Sequence, residues 1–89
     1  GENNLAASVE IYPNPAKDML NITLTGFKTL SGLKKGITAT LLTAEGKVVK
    51  TFSITSPTTQ LDVADLQTGI YLLKITSENQ IVVKRLVKQ

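Results

Sequence analysis

The side chains that could do chemistry in this chain are its hydroxyls, carboxylates and lysines, because histidine, cysteine and tryptophan are all absent. Serine and threonine without an imidazole lack the base that would take their proton, so no nucleophilic triad can be assembled from them. Lysine-assisted chemistry would need a buried lysine, and nothing in the pattern calls for one. The lack of cysteine also removes thiolate metal sites and disulfides, and leaves the redox compartment unread. Asp62 and Asp65 come nearest to a cation site, but two carboxylates fall short of the roughly six to eight oxygens that calcium takes. They are expected to form a solvated corner. Catalytic, cofactor and metal sites are therefore not expected.

What remains is charge. Ten Lys and Arg oppose seven Asp and Glu, a formal net charge of +3. The segment from Gly69 to Gln89 holds four cations and one carboxylate, so it accounts for the whole excess. Lys84, Arg85 and Lys88, with Leu86 and Val87 between them, form a basic final strand that could offer a partner both charge and an open hydrogen-bonding edge. Lysine on an edge strand also guards against aggregation, and that reading stays open beside the first. Lys34-Lys35 is a second, smaller cluster. Two Phe and two Tyr without a binding motif do not make a stacking platform, so nucleic acid is not an expected partner.

These residues must be positioned by strands. With 89 residues, 42% hydrophobic and 19% charged, the chain suits one folded domain with a modest core. Gly1 to Ala7 reads as a linker, or as a remnant of tag removal or excision from a larger protein. No apolar run is long enough for a membrane span, and no secretory signal pattern opens the chain.

Residues 8–89 then alternate in short runs. Ser8 to Tyr12 turns Val9 and Ile11 to one face, and Pro13-Asn14-Pro15 ends it in a rigid corner. Asp18 to Thr25 buries Leu20, Ile22 and Leu24. Gly26 to Gly36 is a loop, with an irregular extended piece around Phe27 to Leu30. Ile37 to Thr43 and Lys47 to Ile54 flank Ala44-Glu45-Gly46, a three-residue connection with glycine in the left-handed position. Thr59 to Val63 points Leu61 and Val63 inward. Ile70 to Thr76 and Gln80 to Lys88 form a hairpin with Asn79 as the left-handed residue. Gly69 lets the chain turn before its strand, and Tyr71, Leu73 and Ile75 face the core. Seven short antiparallel strands and no helical period predict an all-β immunoglobulin-like sandwich.

Three pieces carry a resemblance: Ile11-Tyr12-Pro13-Asn14-Pro15-Ala16-Lys17-Asp18, Leu66-Gln67-Thr68-Gly69-Ile70-Tyr71-Leu72-Leu73-Lys74-Ile75, and Lys84-Arg85-Leu86-Val87-Lys88. In that order the chain resembles the type A C-terminal sorting domain of the type IX (Por) secretion system of Gram-negative bacteria. Ala44-Glu45-Gly46-Lys47-Val48-Val49 is similar to the family's central hairpin. The resemblance implies a non-enzymatic address label, carried behind a cargo that would precede Gly1. It would be read by the outer-membrane translocon after passage through the periplasm. A separate sortase would cut near residues 1–7, leaving the cargo at the cell surface or outside the cell. Lys84, Arg85, Leu86, Val87 and Lys88 become the candidates for translocon recognition. Pro13, Asn14, Pro15, Gly69 and Tyr71 are expected to serve the fold. Dimerisation through an edge strand is a further expectation. The rival reading is a fibronectin-like accessory module that binds carbohydrate or a protein at the surface.

Overall fold

The computed structural model describes residues 8–26, 36–77 and 80–89. The expected linker at residues 1–7, the irregular piece at Phe27 to Leu30, the Lys34-Lys35 cluster and the left-handed Asn79 lie outside the described residues.

Among the described residues the alternation of apolar and polar residues becomes seven strands: β1 (Ser8–Tyr12), β2 (Met19–Thr25), β3 (Ile37–Thr43), β4 (Val48–Ile54), β5 (Thr58–Asp62), β6 (Gly69–Thr76) and β7 (Ile81–Lys88). Among the described residues there is no helix, and so none long and apolar enough to cross a membrane. Every strand pairing is antiparallel. One sheet has the order β1-β2-β5 and the other β4-β3-β6-β7. β3 therefore pairs with β6 across two intervening strands, the kind of crossover that a Greek-key sandwich of immunoglobulin type requires.

The core lies between the sheets. Val9, Leu20, Ile22 and Leu24 are buried from the first sheet, and Ile37, Ala39, Leu41, Leu73, Ile75 and Leu86 from the second. Period-two alternation explains this set, since each strand gives every other side chain to the interior. Val63 lies just beyond β5 and is also fully buried, held there by an N–H bond to the Asp18 carbonyl at 2.8 Å. β5 thus begins at Thr58 and ends at Asp62, one residue earlier at each end than its pattern predicts.

The β3–β4 connection closes as its glycine requires. Gly46 has φ +96° and donates to the Thr43 carbonyl at 2.9 Å, while Thr43 N–H bonds the Lys47 carbonyl at 2.8 Å. A second irregularity follows, since Leu41 pairs with Lys50 but Leu42 with Val48. Val49 is therefore the extra residue of a bulge, which bends an edge strand away from flat pairing.

At the start of β6, Gly69 has φ +156°, a conformation strained for any residue with a Cβ, although a Cβ there would meet nothing within 4 Å. Its constraint is dihedral and not spatial. Two residues on, buried Tyr71 donates its hydroxyl to the Gln67 carbonyl at 2.7 Å. A tyrosine bonding backward to the corner it follows is the tyrosine corner of immunoglobulin-like sandwiches.

Candidate functional site

β7 is an edge strand of the four-stranded sheet, paired to β6 from Gly69↔Lys88 through Thr76↔Ile81 without a break. Along such a strand, alternate residues turn their N–H and C=O toward the partner strand or away from it. The outward groups near the C-terminal end are not left open. Asn14 Nδ2 donates to the Arg85 carbonyl at 2.9 Å, and Val87 N–H donates to Asn14 Oδ1 at 2.9 Å. Ala16 continues the cover: its N–H donates to the Val87 carbonyl and its own carbonyl accepts from Gln89 N–H, both at 2.8 Å. Together these make a short parallel bridge between Ala16 and Lys88.

The proline corner is thus more than a stop signal for β1. Both of its X-Pro bonds are cis, at Tyr12-Pro13 and Asn14-Pro15. Pro13 and Pro15 are exposed and flank the one amide side chain that clamps β7, and Ala16 behind them is fully buried. The role of Asn14 was signalled only by an Asn bracketed between prolines. The burial of Ala16 had no signal.

The five residues expected to be read together are divided by the pleat. Leu86 is fully buried in the core, and Lys88, on the same face, is only 6% exposed. The Lys88 ammonium donates to the Gln89 carbonyl at 2.8 Å, so its stem packs inward while its charge stays beside the chain. Leu86 and Lys88 therefore face the core and support the strand. Lys84 and Arg85 are exposed, and Val87 is half-buried on the outer face. The expected open edge is corrected, since Asn14 and Ala16 occupy it over residues 85–89.

Lys84 and Arg85 stand at the mouth of an open groove of about 430 Å³ between β1 and β7, with Glu10, Tyr12 and Asn14 on its other side. The other expected fold residues meet the same strand, because Gly69 pairs with Lys88 and Tyr71 with Leu86. Asp62, by contrast, is exposed and accepts from Ala64 N–H at 2.9 Å, the local turn of a solvated corner. Among the described residues no group of three acidic or metal-ligating side chains comes together.

No curated protein matches the chain. Residues 10–89, from within β1 to beyond the end of β7, match the family described as the secretion system C-terminal sorting domain. The chain belongs to this family, and as such it is the C-terminal secretion signal of a type IX cargo, directing export toward the outer membrane or cell surface.

Proposed function

We propose that the type IX translocon reads this sorting domain in its folded form through the outer part of β7, with Lys84 and Arg85 as the charged contacts. Leu86 and Lys88 hold the strand against the core, and Val87 supports it at the outer face. The cargo lies ahead of the domain in the precursor and transits the periplasm. A separate sortase then cuts in the segment 1–7, so that the domain itself performs no catalysis. The observation that carries the reading is the division of β7. Of its three cations, Lys84 and Arg85 are exposed, while Lys88 is buried and the backbone around it is tied to the proline corner.

The test is a reporter fusion carrying Lys84→Glu and Arg85→Glu, expressed in a cell with a working type IX system. Export is expected to fall while circular dichroism and thermal melting of the purified domain stay near the parent's. Equal export of a folded double variant would overturn the assignment. Ending the chain at Ile81 is a poorer test, because it removes buried Leu86 and both partners of Asn14 and so attacks the fold itself.

A further inference from the structure

The cover that the described residues give β7 stops halfway, and the other half has its own chemistry. Arg85 and Val87 direct backbone groups outward to Asn14 and Ala16. The unbroken register with β6 then puts the N–H and C=O of Val83 and Ile81 on the same edge. Among the described residues, Arg85 N–H and the N–H and C=O of Val83 have no partner. The side chains around this stretch are unusually apolar for a surface, with Ile81 61% and Val83 51% exposed. Cations stand on both faces of this stretch. Lys74 lies opposite Val83 on the outer face, Arg85 lies two residues along, and Lys84 enters the groove shared with β1. Among the described residues, Glu10 is the one carboxylate lining that groove.

We propose that the edge from Ile81 to Arg85 is a strand-addition site, and that its occupant is an extended acidic segment of a partner protein with alternating carboxylate and aliphatic side chains. The backbone of that segment extends the four-stranded sheet. Its aliphatic side chains lie on the outer face and cover Ile81 and Val83, and its alternate carboxylates turn to the opposite face, where Lys84 stands. A second copy of this chain fits poorly, because pairing two β7 edges sets like charges from Lys84 and Arg85 against one another. The site deepens the recognition reading above and rests on it for its place in export.

The test titrates the isotope-labelled chain with a short acetylated peptide of alternating glutamate and valine, followed by amide NMR and hydrogen exchange. The Val83 and Arg85 amides are expected to shift and to exchange on the order of tenfold more slowly. A lysine-valine peptide should bind at least about tenfold more weakly. Val83→Pro removes an outward N–H and no ladder bond, so it should keep the fold and weaken binding by about tenfold or more. Lys84→Glu leaves the backbone intact and should weaken binding as well, which keeps the test decisive if Val83→Pro does not fold. Charge-indifferent binding, protection on another edge, parent-like affinity of both variants, or protection that follows protein concentration as a dimer forms would each overturn the proposal. Export separates the two readings. If folded Val83→Pro is exported normally while the Lys84/Arg85 reversal is not, strand addition falls and charge recognition stands. If the peptide binds as described and both variants are exported normally, the strand-addition site stands and translocon reading through β7 falls.

Discussion

Replacing Asn14 by Ala should loosen the last strand although Asn14 belongs to another part of the chain. The side chain makes two hydrogen bonds at 2.9 Å, one to the Arg85 carbonyl and one from the Val87 N–H, across 71 and 73 residues. A neutral hydrogen bond contributes about 0.5–1.5 kcal/mol net, and both of these are exposed, so water can take over part of each. The expected loss is therefore about 1–2 kcal/mol, which for a domain of this size lowers Tm by about 5–15 °C. Equilibrium denaturation gives the magnitude and hydrogen exchange gives the place, since the Val87 amide should lose protection first. Asn14→Asp separates the two bonds. It keeps the acceptor for Val87 N–H but sets a carboxylate against the Arg85 carbonyl, so it should be no better than Ala overall while retaining more protection at Val87. A variant within about 0.3 kcal/mol of the parent, or unchanged exchange at Val87, would refute the view that the corner clamps the strand.

Tyr71→Phe removes the bond to Gln67 while leaving the ring packed, and should cost about 1 kcal/mol by denaturant titration. Gly69→Ala should cost about 1–3 kcal/mol from the backbone angle alone, since nothing stands in the way of the new methyl group, and no neighbouring small-residue substitution should rescue it. Leu86→Ala opens the core and should cost about 2–5 kcal/mol, whereas Arg85→Glu should stay within about 0.5 kcal/mol of the parent. Export of the folded Arg85→Glu fusion then reports recognition, and export of Leu86→Ala reports foldedness.

Most strands were legible because one face of each is buried and the other wet. β3 falls on its predicted residues, Ile37 to Thr43, and Tyr71, Leu73 and Ile75 form the inner face of β6 as their spacing requires. Gly46 announced its turn because few other residues accept a positive φ. The errors have separate causes. Burial of Leu86 implies by period two that Lys88 faces inward as well, yet a lysine is read by its charge before its position. The bulge at Val49 adds a residue between two valines and leaves no break in the hydrophobic pattern. The clamp from Asn14 was hidden for a different reason. It joins backbone groups of distant residues, and backbone edges are the same in every sequence.

The pieces that carry the family resemblance are far apart in sequence but form one place in the fold. Gly69 and Tyr71 pair with Lys88 and Leu86, and Asn14 and Ala16 bond the other edge of the strand end at Arg85, Val87 and Gln89. The C-terminal half of β7 is thereby held on both edges, and its side chains Leu86 and Lys88 are held from inside. A strand fixed this thoroughly has little left to offer a partner beyond its shape. The two halves of β7 therefore differ in what they can do. The half from Arg85 to Gln89 keeps the signal folded, and the half from Ile81 to Arg85, whose edge no described residue covers, is the proposed place where a reader gains contacts. Arg85 is the hinge between them, because its carbonyl belongs to the clamp while its N–H and guanidinium face outward. On this division, weakening the clamp lowers export only as far as it lowers the folded fraction. Reversing the charge at Arg85 lowers export in a fully folded domain.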